Sequence, residues 1–518
     1  MTLSIIDRLV REAEAISLKR ACFLVFCWVF LRIFLEGVLE SQHYIGFYPL
    51  SYRMLLVYLV HFPLFYISLF LLLVIILSLF INENPANVTN IASVGLGSIV
   101  FVPLIDYFVS SGYVITYPLR LGPYIVNFLN PFVSLTGIGV SPGQRITVVL
   151  VAFLIAVYVF RKTRSNFRAC GSFVISLSAI VLFGCLTTIL AANHPELVYI
   201  SGGILYSETQ KYCALYMSVL PVVIFIYAFL LKSKCTRAFL SSIRMERMAF
   251  YGGMTIFGYA ISVVLKGAEF GAGIFDYLGV MMMFLSMAFG YWSVQVFNDM
   301  FDTDIDRVTG KRNPILSGMN PKDYRVLFLV LTILALCYAL IVNFPAFLIL
   351  TAFLLLGFVY SMPPVRLKRI PVISTLVIAF EVCLCIGFGF SVHYGGRAIN
   401  TIPGQILVPT LIAVTLGFAA KDIGHVRGDR ARGVITLAVL FYDREHLSGR
   451  APMAGLISTS YLIYLIFIPQ VIVAAVLCAL ATFFYTIFVR KTNEVFYFVM
   501  LYAFGGYLCY TLLRLMPF

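Results

Sequence analysis

The dominant feature of this chain is a succession of apolar stretches long enough to cross a lipid bilayer, which takes about 17–25 residues in a helix. Six stretches come first, and nine more follow a charged break at 232–247. They lie near residues 20–39, 54–81, 90–110, 145–161, 170–192, 212–231, 248–266, 277–297, 325–343, 345–360, 371–392, 403–420, 452–468, 470–489 and 495–514. Charged residues make up 12% of the chain, whereas a soluble domain is about a quarter charged. The sequence predicts an all-α polytopic membrane protein.

The charged break marks the predicted domain boundary. We expect an N-terminal membrane domain of about six helices at 1–240, for which no catalytic constellation is visible, and a nine-helix domain at 241–518. Segment 111–144 is rich in Gly and Pro and fits no full span, so we expect a re-entrant or interfacial piece there. Asp106 and Arg120 are expected at loop or interface positions.

The net charge of +14 comes from 37 Lys and Arg against 23 Asp and Glu. Basic residues collect in alternate loops of the second block, as expected for loops that face the cytoplasm. These residues are Arg307, Lys311, Arg312, Lys322, Arg366, Lys368, Arg369, Lys421, Arg427, Arg430, Arg432, Arg490 and Lys491. A nucleic-acid partner is not expected, because there is no basic stripe outside the loops.

The N-terminal segment and the cysteines refine the expected setting. Residues 1–20 carry acidic as well as basic side chains and precede a full-length span, which indicates a cytoplasmic amphipathic segment rather than a cleaved signal. The 11 cysteines form no C-x-x-C pair and are interpreted as small apolar side chains. We expect a prokaryotic cytoplasmic membrane, with the functional site open to the cytoplasm.

An acidic motif ends the second helix of the second block. The sequence Asn298-Asp299-Met300-Phe301-Asp302-Thr303-Asp304-Ile305-Asp306 follows the pattern N-D-x-x-D-x-x-x-D. On a continuous helix, Asp299, Asp302 and Asp306 share one face. Like charges this close repel, so protonation, basic neighbours or divalent cations must offset them.

Two further segments on the same predicted side complete the pattern. Lys421 and Asp422, with Asp429 seven residues after Asp422, end the sixth helix of the block. The opposed carboxylates could hold two or three Mg²⁺ ions, whose shells are completed by phosphate oxygens and water. Between the motifs lies a Pro-stiffened loop, YSMPPVRLKR at 360–369, whose basic residues suit a diphosphate. Helix capping, salt bridging and the positive-inside bias are the structural alternatives.

These three segments, in this order, resemble the UbiA superfamily of intramembrane prenyltransferases over about residues 245–518. The resemblance implies that two aspartate-rich motifs bind Mg²⁺ and an isoprenoid diphosphate. It implies the metal ligands and catalytic residues Asp299, Asp302, Asp306, Asp422 and Asp429. Many members carry Asp at the position of His425, so a ligand role for His425 stays open.

The resemblance also implies a reaction. We expect Mg²⁺-dependent prenyl transfer from an isoprenoid diphosphate to a lipophilic acceptor, such as an ether-lipid or quinone precursor, with release of diphosphate. Fixed cations would stabilise the leaving group, and Tyr360 could stabilise the allylic cation. The expected substrate-binding residues are Asn298, Lys311, Arg312, Tyr360, Arg366, Lys368 and Lys421. The alternatives are a transporter or channel with the acidic pair as its cation site, or a related transferase with a non-prenyl diphosphate donor.

Overall fold

The structure is a computed structural model. It describes residues 8, 10–40, 51–110, 121–129, 140–191, 203–271, 273–309, 313–426, 430, 435–443 and 445–515, and these contain helices and no strand. Fifteen helices in this part of the chain are long and apolar enough to cross a membrane. They are α1 Leu18–Leu39, α2 Tyr52–Ile81, α3 Pro85–Val109, α4 Pro142–Thr163, α5 Asn166–Gly184, α6 Glu208–Leu240, α7 Met245–Lys266, α8 Ile274–Phe301, α9 Pro321–Val342, α10 Phe344–Ser361, α11 Ile373–Thr401, α12 Gly404–Gly424, α13 Leu447–Phe467, α14 Pro469–Phe488 and α15 Glu494–Arg514. The predicted all-α membrane fold, with six spans followed by nine, is confirmed.

Several helices begin at a polar residue followed by proline. Asn84, Ser141 and Asn320 each precede a proline, and each side chain accepts a hydrogen bond from a backbone N–H of the first turn. These caps satisfy donors that the helix leaves unpaired, and proline fits the first helical position because it lacks an N–H. Short polar-Pro pairs between apolar stretches therefore position the starts of α3, α4 and α9.

The chain divides into an N-terminal unit, Met1–Thr236, and a C-terminal unit, Arg237–Phe518. The boundary lies inside α6, which departs from helical geometry at Lys232, with φ −148° and ψ 68°. In the segment expected to be re-entrant or interfacial, the structure describes a helix at Leu121–Leu129. Its nine residues rise about 13 Å, too little to cross the bilayer core.

Charged side chains are buried inside the N-terminal unit. Arg32, which is 0% exposed, donates a hydrogen bond to Glu36 one turn later in α1, and its guanidinium lies 5.8 Å from the ring centre of Tyr66. Asp106 is also 0% exposed, and its Oδ1 accepts a 2.7 Å hydrogen bond from the backbone N–H of Gly143. The expectation that Asp106 is a loop or interface residue is therefore wrong, because it joins α3 to the start of α4. Arg120 lies outside the described residues.

The N-terminal unit also encloses a cavity of about 470 Å³ between α2, α3 and α4. Its wall is largely apolar and includes Phe65, Leu69, Gly95 and Val151, with Arg161 among its polar members. The apolar core beside it combines Phe70 and Leu77 with four valines, namely Val25, Val74, Val88 and Val159.

In the C-terminal unit, α7 and α11 cross at very close range because each places a glycine at the contact. A Cβ added to Gly258 would lie 2.0 Å from the carbonyl oxygen of Ile386, and one added to Gly389 would lie 1.9 Å from that of Thr255. Small residues at helix crossings allow this approach within membranes. The same two helices are also joined by a hydrogen bond from the hydroxyl of Tyr251 to the carboxyl group of Glu381.

Candidate functional site

The first aspartate motif lies where α8 ends. Asp302 is the C-cap of the helix, with φ −104° and ψ 5°, and a separate short helix, Thr303–Thr309, follows. Asp299 lies in the last turn of α8, and Asp306 belongs to the short helix. The expectation that the three carboxylates share one face of a continuous helix is therefore wrong, since the chain breaks at Asp302.

Asp302 binds the basic loop between α10 and α11. Lys368 Nζ donates to both carboxylate oxygens of Asp302, each at 2.6 Å, and to Asn298 Oδ1 at 2.7 Å. Arg366 Nη2 donates to Asp302 Oδ1 at 2.7 Å and to the carbonyl oxygen of Phe301 at 3.3 Å. Three oxygen atoms of the first motif therefore already surround one cation, which supports a cation-binding role for this set.

Asp299 and Asp306 make different contacts. The hydroxyl of Tyr324 donates to Asp299 Oδ2 at 3.1 Å. Asn313 Nδ2 donates to Asp306 Oδ2 and to the backbone oxygen of Asp299, each at 2.9 Å. Both carboxylates are 2% exposed. Among the residues that the structure describes, no three His, Cys, Asp or Glu side chains gather around a common point.

Two consecutive residues at the end of α10 contact both motifs. Ser361 Oγ donates to Asn298 Oδ1 of the first motif at 2.7 Å. Lys421 Nζ, next to Asp422 of the second motif, donates to Tyr360 Oη at 2.8 Å and lies 5.3 Å from the centre of that ring. Two motifs more than 100 residues apart in sequence are thus brought to a single turn of α10.

The loop after α10 holds its cations in a defined conformation. Arg366 adopts φ 45° and ψ 58°, which is uncommon for a residue other than glycine. Its guanidinium contact with Asp302, together with the 3.0 Å backbone hydrogen bond from Arg366 N to Met362 O, accounts for this geometry. The two prolines and this turn direct Arg366 and Lys368 back towards α8.

An apolar cavity of about 460 Å³ reaches the second motif. Lys421 forms part of its wall, and α7, α12, α13 and α15 supply aromatic and aliphatic side chains. They include Phe250, Met254, Phe257, Phe418, Tyr461 and Phe504. Arg247 Nε donates to Glu494 Oε1 at 2.8 Å, and Glu494 is also part of the wall. The cavity has the lining expected for a hydrocarbon chain.

Three predicted site residues, and the side chain of His425, whose role stays open, are not described by the structure. Lys311, Arg312 and Asp429 lie outside the described residues, and so does the side chain of His425. The Mg²⁺ ligand set and the substrate contacts predicted for them stay predictions.

The sequence interpretation missed four residues of this region. Three of them form hydrogen bonds with the first motif, namely Ser361, Asn313 and Tyr324. The fourth is Glu381, which lies inside α11, is 6% exposed and accepts a hydrogen bond from Tyr251. Glu381 could have been identified from the sequence, since it is an acidic residue in the apolar run 371–392 and such residues usually have a function. The other three are ordinary polar residues whose role depends on tertiary contact.

Comparison with known proteins agrees with the motifs. Residues 260–497 match the model of the UbiA prenyltransferase family. This region belongs to the UbiA prenyltransferase family. A digeranylgeranylglyceryl phosphate synthase of Sulfolobus acidocaldarius is 25% identical over 213 residues, which cover 40% of this chain and 71% of that protein. The family resemblance and the enzyme class inferred from sequence, a prenyltransferase, are confirmed.

Two further proteins are similar to parts of this chain. A probable chloroplastic homogentisate phytyltransferase of Oryza sativa subsp. japonica is 34% identical over 151 residues, or 27% of this chain and 39% of that protein. A solved UbiA homologue from Archaeoglobus fulgidus, bound to GPP and Mg²⁺, covers 54% of this chain and 99% of its own, with 16% identity and a TM-score of 0.40.

Proposed function

We propose that this UbiA family member catalyses Mg²⁺-dependent transfer of a prenyl group from an isoprenoid diphosphate to a lipophilic acceptor within the membrane, with release of diphosphate. The observation that carries the proposal is the end of α10. Ser361 contacts the first motif there and Tyr360 contacts Lys421 of the second. A diphosphate at this point would be within reach of groups from both motifs.

Fixed cations supply the binding site for the diphosphate. Arg366 and Lys368 approach from the loop and Lys421 from α12, and Lys311 and Arg312 are expected to add to them. Charge-assisted hydrogen bonds to phosphate oxygens are the stronger kind. They also stabilise the negative charge that develops as the bond between carbon and the ester oxygen breaks.

The donor set fits Mg²⁺, which binds through one or two carboxylates and completes its shell with phosphate oxygens and water. Asn298 and Asp302 already surround the ammonium of Lys368 with three oxygens. Asp299, Asp306, Asp422 and Asp429 are the further carboxylates that would hold the metal. When bound, Mg²⁺ neutralises part of the charge on the departing diphosphate.

The apolar cavity beside Lys421 would hold the prenyl chain. An allylic cation reacts with water, so exclusion of water directs it to the acceptor. Phe250, Phe418 and Tyr461 line this cavity, and aromatic faces stabilise cations. Tyr360, whose hydroxyl accepts a hydrogen bond from Lys421, is the proposed cation stabiliser next to the diphosphate.

We infer that the acceptor is a lipid hydroxyl, as in an ether-lipid precursor. The name of the Sulfolobus relative describes a glyceryl phosphate that carries two geranylgeranyl groups, which supports this choice. An aromatic acceptor is the alternative, because the rice relative is a probable homogentisate phytyltransferase. The proposed setting is a prokaryotic cytoplasmic membrane, with the site facing the cytoplasm.

The test uses the purified full-length protein with Mg²⁺, geranylgeranyl diphosphate and a panel of lipid-hydroxyl and aromatic acceptors, with mass spectrometry of the products. We expect a product whose mass equals acceptor plus prenyl group. Asp302→Asn should lower kcat about 100- to 1,000-fold, the range for loss of one transition-state charge partner. Chelation of Mg²⁺ should abolish turnover.

Asp304→Asn is the matched control, because Asp304 lies in the same acidic run but is exposed and outside the predicted ligand set. This variant should retain activity within about twofold of the unmodified protein, as is usual for a surface substitution. Full activity in Asp302→Asn would overturn the proposal. Cation flux in vesicles without prenyl transfer would instead favour a transporter.

A further inference from the structure

Glu381 is a buried carboxyl group that the proposed mechanism leaves unused. It lies eight residues after the start of α11, about 12 Å along the helix axis, and is 6% exposed. An ionisable side chain inside a membrane-spanning helix is costly and usually has a function. The acidic residues of the two motifs differ, since they lie at helix ends.

The carboxyl group of Glu381 has one oxygen engaged and one available. Tyr251 Oη on α7 donates to Glu381 Oε2 at 3.2 Å, and the Tyr251 ring stacks on Tyr291 with centroids 4.9 Å apart. Oε1 accepts no hydrogen bond from any residue that the structure describes. The stacked tyrosine orients the carboxyl group and leaves Oε1 able to accept a proton from another molecule.

Glu381 also lies beside the groups that would bind the donor. Lys421 on α12 and Tyr360 on α10 are close enough to interact with it electrostatically, and Cys385 faces it from its own helix. Lys421 forms part of the cavity wall and contacts Tyr360. Glu381 therefore lies near Lys421 and Tyr360, the residues beside which the reacting carbon of a bound donor would lie.

Prenyl transfer to a hydroxyl requires a proton acceptor at that position. The bond from the allylic carbon to the diphosphate oxygen breaks, and its electron pair leaves with the diphosphate. A lone pair of the acceptor oxygen forms the new C–O bond, and the O–H bond releases a proton. Within an apolar cavity, a positioned carboxylate takes that proton more readily than scarce water.

We propose that Glu381 is a catalytic residue, the general base that accepts the hydroxyl proton of the acceptor on Oε1. The proposal rests on the proposed prenyl transfer and deepens it, because it assigns the acceptor a hydroxyl group that meets α11. Tyr251 is the positioning residue, since it acts through the carboxyl group of Glu381.

The test compares Glu381→Gln and Glu381→Asp in the full-length protein, with geranylgeranyl diphosphate, Mg²⁺ and a long-chain glycerol ether that carries a free hydroxyl. Glu381→Gln should lower kcat for transfer about 100-fold or more, within the range for general bases. Donor affinity, measured with labelled geranylgeranyl diphosphate, should change less than twofold. Glu381→Asp should recover at least part of the lost rate.

Two measurements separate a base from a residue that only joins α11 to α7. In the unmodified protein, kcat should rise with pH to a plateau, and this dependence should disappear in Glu381→Gln. Slow release of diphosphate from the donor without acceptor should be unchanged in Glu381→Gln, because ionisation needs no base. Asp276→Asn, at the far end of α8, should preserve both the rate and its pH dependence.

Other outcomes overturn the proposal in distinguishable ways. If Glu381→Gln transfers the prenyl group within threefold of the unmodified rate, Glu381 is not the general base, and the proposed function is unaffected. Equal losses in Glu381→Gln and Glu381→Asp, with reduced thermal stability and an unchanged pH profile, assign a structural role. If the unmodified protein shows no prenyl transfer, both the proposed function and the proposed role of Glu381 are rejected.

Discussion

The two units enclose cavities of nearly equal volume, about 470 Å³ in the N-terminal unit and about 460 Å³ in the C-terminal unit. Both are largely apolar. The C-terminal cavity, however, has in its wall the lysine that precedes Asp422 and contacts Tyr360. In the N-terminal unit, the buried Arg32 and Glu36 bind each other, and neither is part of the cavity wall. The wall of the N-terminal cavity also includes a cation, Arg161, so neither volume nor a single charge identifies a site. The contact of Lys421, next to Asp422, with Tyr360 is what sets the C-terminal cavity apart.

The two units each use a glycine for the close approach of two helices, one of which carries a buried carboxyl group. Gly143 approaches α3 so closely that an added Cβ would lie 2.4 Å from the carbonyl oxygen of Val102, and its N–H binds Asp106. Gly389 allows a similarly close approach between α11 and α7, the helices that carry Glu381 and Tyr251. The described hydrogen bond of Asp106 comes from a backbone N–H, whereas that of Glu381 comes from the side chain of Tyr251.

The largest effect should come from breaking the ion pair of the N-terminal unit. Arg32→Met leaves Glu36 buried without its partner, so the free energy of unfolding should fall by about 3–5 kcal/mol. Denaturation in detergent measures this change. The double variant Arg32→Met/Glu36→Gln should recover most of the loss, and prenyl transfer per folded molecule should be unaffected. A single variant as stable as the unmodified protein would contradict the interpretation.

Filling the two cavities should separate their roles more directly. Gly253 and Gly95 each line a cavity, and an added Cβ at either would meet no atom within 4 Å. Gly253→Phe should raise KM for geranylgeranyl diphosphate about 100-fold, since each CH₂ denied burial costs about 0.8 kcal/mol and three or four are displaced.

Gly95→Phe is the matched control in the N-terminal cavity and should leave both KM and kcat unchanged. Equal losses in the two variants would show that the N-terminal cavity also serves the reaction. Activity of Gly253→Phe with geranyl diphosphate should be reduced less, because the shorter chain needs less of the space.

A smaller effect should follow from widening the crossing of α7 and α11. Gly389→Ala places a methyl group against the backbone of Thr255, so stability should fall by about 2 kcal/mol. Gly387→Ala is the control on the same helix, because its Cβ would meet side-chain atoms no closer than 3.8 Å. Thermal denaturation of both variants should show a loss for Gly389→Ala alone. If Gly387→Ala were equally damaging, the close approach at Gly389 would not explain the result.

The smallest effect should come from the contact between the motifs. Tyr360→Phe removes the hydroxyl that binds Lys421 but keeps the ring. The loss of one hydrogen bond, about 1 kcal/mol, should lower kcat/KM about fivefold. Asp302→Asn, by comparison, should abolish nearly all activity. A loss in Tyr360→Phe as large as in Asp302→Asn would mean that the hydroxyl has a direct chemical role.

Much of the fold follows from the sequence because apolar length determines where a helix can span a bilayer. The basic break at 232–247 and the motifs at Asp302 and Asp422 could also be identified from the sequence. The break in the helix at Asp302 was not, because i, i+3, i+7 spacing assumes an unbroken helix. The contact of Lys368 with Asn298 and Asp302 depends on a turn at Arg366 that no periodicity reveals. The N-terminal charges were missed because Arg32 and Glu36 lie in an otherwise apolar run.

Lys368 binds Asn298 and Asp302, so its positive charge acts as an internal counter-ion for the carboxylate of Asp302. Since a lysine of the chain already balances this part of the motif, the fold should not need a metal to hold these carboxylates in place. Prolonged dialysis against a chelator should leave the melting temperature unchanged, and added Mg²⁺ should restore full turnover at once. Mg²⁺ would then bind together with the diphosphate of each substrate and leave with it, and it would not be needed to maintain the fold.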